Sequence, residues 1–112
     1  MTETNHFSGV SPEHFNNLNA VFLPSHLGMR VVSVEPGRIT AEIDIEQHHR
    51  APNGYLHAGT IVTLADTAAG YGCVSNLPEG ARNFTTVELK SNFLGTVTEG
   101  TISCVAEVVH SG

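Results

Sequence analysis

The 112-residue sequence has few basic residues and few cysteines. Five Lys and Arg stand against eleven Asp and Glu, which gives a formal net charge of -6, and the basic residues form no cluster. Because a nucleic-acid-binding surface needs clustered positive charge, we expect no nucleic-acid partner. Cys73 and Cys104 form no Cys-x-x-Cys pair and no zinc-ligand spacing with histidine, so we expect two buried thiols without a disulfide or a metal.

Long apolar runs are also missing. No stretch is long enough to cross a bilayer, and the N-terminal MTETNHFSGVSPEHF lacks the basic start and apolar run of a signal peptide. We therefore expect a cytoplasmic protein with no membrane partner. The chain has no internal repeat or linker, and its length predicts one domain over 1–112, with 1–27 as an N-terminal helix or lid region and 28–112 as the core.

The first half of the sequence predicts a short helix and a hairpin. Ser11 suits an N-cap and Pro12 the first helical position. Residues 29–34 and 38–45 are strand-like runs on either side of a Pro-Gly turn, and the second alternates apolar with polar side chains. This pattern is typical of a hairpin with one buried and one wet face.

The second half predicts one long helix followed by strands. Residues 58–76 are rich in alanine, and their apolar side chains fall on nearly every side, as in a helix buried all round. The runs NFTTVELKSNFLGTV and GTISCVAEVVH are strand-like and separated by turn residues. Together these elements predict an α+β domain in which a curved antiparallel sheet folds around the helix.

One carboxylate, Asp66, stands in the middle of this apolar helix. A buried carboxylate is costly unless it is hydrogen-bonded, paired or lining a cavity, so Asp66 either faces an exposed seam, bonds a neighbouring threonine, or is functional. The free N–H groups at the helix start, near Ala58 and Gly59, carry the positive end of the helix dipole and can hold an oxyanion. A carboxylate that attacks or activates water, together with such a donor, suffices for acyl transfer.

These two groups cannot meet within one chain. The eight residues from Ala58 to Asp66 separate them by about 12 Å along one helix. If the helices of two subunits run antiparallel across a two-fold axis, Ala58 of one chain can approach Asp66 of the other. We therefore expect a homodimer with composite active sites.

The segments NGYLHAGTIVTLADTAAGYGC and TTVELKSNFLGT resemble the hotdog-fold acyl-CoA thioesterases, nearest the phenylacetate-pathway (PaaI-like) type. The resemblance implies a long central helix wrapped by a curved antiparallel sheet, and a homodimer that often pairs into a homotetramer. It also implies hydrolysis of an acyl-CoA and favours a phenylacetyl or hydroxyphenylacetyl group, while medium-chain acyl groups stay open. We expect no cofactor. Relatives continue into a further strand, so the sheet is expected to lack the last C-terminal strand.

The resemblance also implies roles for particular residues. Asp66 is the expected catalytic carboxylate, as base or nucleophile, and the N–H of Ala58 is expected to polarise the thioester carbonyl. His57 either shapes the oxyanion site or caps the helix. Asn53 either bonds the thioester or the attacking water, or forms a turn. Thr86 corresponds to a hydroxyl near that water, although strand alternation favours Thr85.

Three further residues are expected to contact the substrate. Gly59 lies beside the predicted oxyanion donor, and Arg82 and Lys90 are candidates to meet the phosphates of coenzyme A. Two other functions stay open. One is a hotdog hydratase or dehydratase with His57 as the acid or base, and the other is a domain that binds acyl-CoA or self-associates without turnover.

Overall fold

The computed structural model describes residues 8–77, 81 and 83–110. The elements are α1 (Pro12–Asn19), α2 (Leu23–His26), β1 (Arg30–Glu35), β2 (Arg38–Asp44), a 3-10 helix (Gln47–His49), α3 (Ala58–Ser75) and β3 (Thr101–Glu107). The strands form one antiparallel sheet in the order β1-β2-β3, and α3 packs on it. The predicted α+β class is confirmed. None of the helices described here is long and apolar enough to span a membrane.

The predicted hairpin forms with bounds within one residue of those expected. Its turn contains Gly37 at φ 70°, a conformation that glycine adopts without steric cost. On β2 the alternating side chains of Ile39, Ala41 and Ile43 are fully buried. The sheet therefore presents one apolar face to α3.

The N-terminal helix α1 is part of the core. Ser11 caps it by accepting a hydrogen bond from the His14 N–H at 3.3 Å. Phe15 is fully buried and stacks on Tyr71 of α3, with ring centroids 4.3 Å apart. Asn16 bonds both backbone groups of Val31 in β1, donating to its carbonyl at 3.1 Å and accepting from its N–H at 2.9 Å. The Asn16 side chain thereby covers part of the outer edge of the sheet.

Helix α3 has nearly the predicted bounds, but the expectation that it is buried on all sides is wrong for this chain. Its buried residues lie mainly on one stripe along the sheet: Thr60, Leu64, Ala68, Gly70, Gly72 and Ser75. Ala69 and Cys73 are exposed. The sheet of one chain covers only one side of a helix, so the opposite side of α3 faces outward.

Residues 83–97, which were expected to form a strand, contain no assigned strand. The described sheet contains only β1, β2 and β3, and residues 83–97 pair with none of these strands. A strand-like composition needs a partner to complete its backbone hydrogen bonds. Without one, apolar side chains of this segment stay exposed, with Val87 at 93% and Leu94 at 97%.

Candidate active site

The first turn of α3 has one backbone N–H group with no hydrogen-bond partner among the described residues. The His57 N–H donates to the carbonyl of His49 at 2.9 Å, and the Gly59 N–H donates to Nδ1 of His57 at 2.7 Å. The Thr60 N–H donates to the carbonyl of His57 at 3.0 Å. The N–H of Ala58 has no partner within residues 8–77, 81 and 83–110. Because the helix dipole is positive at this end, Ala58 presents an available donor for a negatively charged oxygen.

His57 and Gly59 form the cap of this helix. His57 is the N-cap residue, and its ring Nδ1 is occupied by the Gly59 N–H. Of the two roles expected for His57, shaping the oxyanion site or capping the helix, this contact is the one that caps the helix. A Cβ at Gly59 would lie 2.9 Å from Nδ1 of His57, so glycine at this position lets the cap form. The Gly59 N–H is thus engaged by the cap.

Asp66 lies on the outward side of α3, half-buried. Asp66 lies two positions after buried Leu64, which places the two side chains about 160° apart around the helix. Thr86 donates a hydrogen bond from Oγ1 to Oδ1 of Asp66 at 3.0 Å. Of the two threonines considered, Thr86 makes this contact. No ion pair involves Asp66 in the described part of the chain.

The predicted site residues therefore fall into two groups. His57, Ala58 and Gly59 lie together at the start of α3, and Asp66 lies with Thr86 beside its middle. The separation of about 12 Å along the helix means that one chain cannot bring both groups to one carbonyl carbon.

The other predicted residues lie outside these two groups. Asn53 is exposed and accepts a hydrogen bond from the Tyr55 N–H at 3.1 Å, in a turn with Gly54 at φ 92°. This geometry is that of an Asx turn, the alternative considered for Asn53. Lys90 is exposed. Arg82 lies outside the described residues.

Two cavities border β3. One, of about 540 Å³, lies between the C-terminal half of α3 and the end of β3, and Cys73 is among its lining residues. The other, of about 340 Å³, lies between the N-terminal half of α3 and β3, and Leu64 is among its lining residues. Neither is lined by Ala58 or Asp66. We therefore assign neither cavity to the reacting end of a substrate.

The two cysteines differ in environment. Cys104 is partly buried, and this burial raises the pKa of its thiol. Cys73 is exposed, so the expectation that both thiols are buried is wrong for Cys73, which lies on the outward side of α3. Both are free, and the described residues hold no group of three or more His, Cys, Asp or Glu able to bind a metal ion.

His49 is a buried residue that no local sequence pattern singles out. It is only 1% exposed, whereas its neighbour His48 is exposed. The ring of His49 bonds backbone groups of Glu46 and Leu27. A partner as distant along the chain as Leu27 leaves no signal in the local pattern.

The sequence model of the thioesterase superfamily matches residues 53–112, which contain every predicted site residue. The chain belongs to the thioesterase superfamily. Within this superfamily it is 35% identical over 86 residues to a putative esterase, ComA2, of Bacillus subtilis, covering 77% of this chain and 68% of that protein. It is 31% identical over 90 residues to a 1,4-dihydroxy-2-naphthoyl-CoA hydrolase of Listeria monocytogenes, covering 80% and 72%. The predicted enzyme class, a thioester hydrolase, is confirmed.

Solved thioesterase structures confirm the hotdog fold. A thioesterase from Haemophilus influenzae superposes with a TM-score of 0.87 at 25% identity, over 96% of this chain and 75% of that chain. The Escherichia coli PaaI protein of the phenylacetic acid degradation operon superposes with a TM-score of 0.76 at 24% identity, over 90% and 70%. At 24% identity, this superposition shows that the chain and PaaI share a fold.

Proposed function

We propose that this protein hydrolyses an acyl-CoA to a free acid and coenzyme A, and that its acyl group is aromatic. The observation that carries the proposal is the pair of groups on α3: an N–H at Ala58 that no described residue accepts, and a carboxylate at Asp66 held by Thr86. The named substrate of the Listeria monocytogenes relative, a naphthoyl thioester, supports an aromatic acyl group. Phenylacetyl and hydroxyphenylacetyl groups belong to the same class, and medium-chain acyl groups are the alternative.

In the proposed reaction, the Ala58 N–H donates to the thioester oxygen and stabilises the negative charge that develops there. Asp66 acts on the other side, either by taking a proton from the attacking water or by attacking the carbonyl carbon itself. In the water route, the water oxygen bonds to the carbonyl carbon, its proton passes to Asp66, and the C–S bond breaks. The proton then goes to the departing thiolate, which gives the acid and free coenzyme A.

Thr86 is the proposed positioning partner of Asp66. Its hydroxyl occupies Oδ1, and Oδ2 has no partner among the residues that the structure describes. A carboxylate held at one oxygen presents the other in a fixed direction, toward water or substrate. Thr86→Val is therefore expected to lower kcat, whereas Thr86→Ser, which keeps the hydroxyl, is expected to retain most of it.

The active site is proposed to form between two chains, because one chain separates Ala58 from Asp66 by about 12 Å. The outward side of α3 supports this arrangement, because this chain's own sheet leaves it uncovered: Ala69 and Cys73, on the same side of the helix as Asp66, are exposed. Antiparallel pairing would set Ala58 of one chain against Asp66 of the partner subunit, giving two sites per homodimer. Pairing of such dimers into a homotetramer is the further assembly that the resemblance implies.

The test is release of free thiol from 1,4-dihydroxy-2-naphthoyl-CoA, phenylacetyl-CoA and hexanoyl-CoA by the wild type and by Asp66→Asn. The matched control is Asp44→Asn, since Asp44 also accepts a hydrogen bond from a threonine, Thr101, but lies on the sheet away from α3. We expect the wild type and the control to hydrolyse an aromatic thioester and Asp66→Asn to lose most of the rate. Equal rates in all three proteins would exclude the role of Asp66.

The same panel separates the alternatives. Loss of water from a hydroxyacyl-CoA without thiol release would instead indicate a hydratase or dehydratase. Thermal stabilisation by an acyl-CoA without any turnover would indicate a binding domain, because a ligand that binds only the folded state raises its apparent stability.

A further inference from the structure

We propose that His49 is a positioning residue that fixes the start of α3 and thereby the direction of the Ala58 N–H. The proposal rests on the proposed function, in which this N–H contacts the thioester oxygen. His49 lies at the end of the 3-10 helix Gln47–His49, and it is the only histidine among the described residues that is buried, at 1% exposure. A buried imidazole must have both ring nitrogens satisfied, and here backbone groups satisfy both.

The two ring contacts define one protonation state. The Glu46 N–H donates to Nδ1 of His49 at 2.9 Å, so Nδ1 carries no proton. Nε2 lies 2.5 Å from the carbonyl oxygen of Leu27, and a carbonyl can only accept, so Nε2 carries the proton. The ring is thus a neutral imidazole that hydrogen-bonds two separate segments of the backbone. One is Leu27 at the end of α2, and the other is Glu46, two residues after β2.

The backbone of the same residue holds the helix start. The carbonyl of His49 accepts from the His57 N–H at 2.9 Å and from Oγ1 of Thr60 at 3.0 Å. His57 in turn caps α3 through Gly59, and Thr60 is buried in its first turn. Ala58 lies between residues that are fixed by these bonds. A chain of hydrogen bonds therefore runs from the His49 ring to the start of α3, where the Ala58 N–H lies.

Replacing His49 by alanine should remove the first two hydrogen bonds of this chain, those that join the ring to Glu46 and to Leu27. Without the imidazole, the Leu27 carbonyl and the Glu46 N–H each lose a partly buried hydrogen bond. Losing both bonds lets the local backbone rearrange. A displacement of about 1 Å in a group that contacts the transition state can lower the rate by about a hundredfold. The loss should appear in kcat, because the Ala58 N–H is proposed to act mainly on the charge that develops during reaction.

The test compares His49→Ala with His49→Gln, a conservative variant, and with His48→Ala as the matched control at the adjacent exposed residue. Glutamine suits the N3 position of a capping box, where its side-chain oxygen can accept from the Glu46 N–H. We measure kcat and KM by thiol release and amide hydrogen exchange at Gly59. For His49→Ala we expect kcat to fall about 10- to 100-fold with KM within about threefold, and faster exchange at Gly59. His49→Gln should recover most of both, and His48→Ala should match the wild type.

Wild-type kcat in a folded His49→Ala variant would overturn the proposal, as would a lower kcat with unchanged exchange at Gly59. If the wild type releases no thiol from any substrate, the proposed function fails, and exchange at Gly59 alone decides whether His49 fixes the helix start. If His49→Ala does not fold, His49→Asn replaces it. Its Oδ1 can keep the contact with Glu46 while the bond to Leu27 is lost, so we expect intermediate effects, and wild-type values in both measurements would overturn the proposal.

Discussion

Replacing Ala58 by proline should remove one hydrogen-bond donor and little else. Ala58 is the first residue of α3, a position that favours proline because its missing N–H has no helical partner. His57 has φ -68° and ψ 133°, the extended conformation that a residue before proline adopts. The Ala58 N–H has no partner among the described residues, so the substitution breaks none of the hydrogen bonds seen in them.

The expected loss follows from the role of a single oxyanion donor. Removing one such donor from an enzyme typically lowers kcat by about 10²- to 10³-fold, which corresponds to about 2.7–4 kcal/mol of transition-state stabilisation. The free energy of unfolding should change little or rise by about 0.4–1 kcal/mol, because proline restricts the unfolded chain. Ala58→Pro therefore separates activity from stability.

The assay is kcat from thiol release, with thermal unfolding measured on the same preparations. Ala58→Gly is the matched control, since it changes the side chain and keeps the N–H, and we expect its kcat to stay within about threefold of the wild type. If Ala58→Pro kept wild-type kcat and melting temperature, the Ala58 N–H would not be the donor. If both variants lost activity equally, the side chain rather than the N–H would be responsible.

Three predictions concern the rest of the molecule. Phe15→Ala should lower the free energy of unfolding by about 3–5 kcal/mol in urea denaturation, because it empties a fully buried site; a loss below about 1 kcal/mol would contradict its place in the core. Iodoacetamide should modify exposed Cys73 before Cys104, whose thiol pKa is raised by burial, and peptide mass spectrometry showing the reverse order would contradict the structure. The hydrogen bond from Arg30 lowers the pKa of Asp44, so its contribution to stability is present above the unfolded pKa of about 3.9 and is lost as pH falls through the folded value. The stability difference between wild type and Asp44→Asn should therefore shrink as pH falls below about 3.9, and a difference that did not depend on pH would contradict this.

The sequence predicted those elements whose pattern is local. The hairpin follows from alternation along β2 and from a turn that needs Gly37, and the N-terminus of α1 follows from Ser11 and Pro12. Residues 83–97 have strand-like composition, yet no described strand pairs with them. Burial around α3 was misjudged for a related reason. A pattern reports that side chains are apolar, but it does not report which side of the helix this chain's own sheet covers.

The candidate site was predictable in part. Asp66 stood out because it is the single charged residue in an apolar helix, and its spacing from Ala58 follows directly from helix geometry. The choice between Thr85 and Thr86 required the structure, since strand alternation applies only where a strand forms. His49 was missed because its partners are backbone groups, one of them in Leu27.

We propose that the thioester is cleaved between Ala58 of one chain and Asp66 of its partner. The most direct test mixes Ala58→Pro and Asp66→Asn chains, each inactive alone, after unfolding and refolding them together. Random pairing in equal amounts makes about half of the dimers mixed, each with one intact site, so the mixture should recover about a quarter of wild-type kcat. Recovery to that level would support the shared site. No recovery, with mixed dimers present by native mass spectrometry, would contradict it.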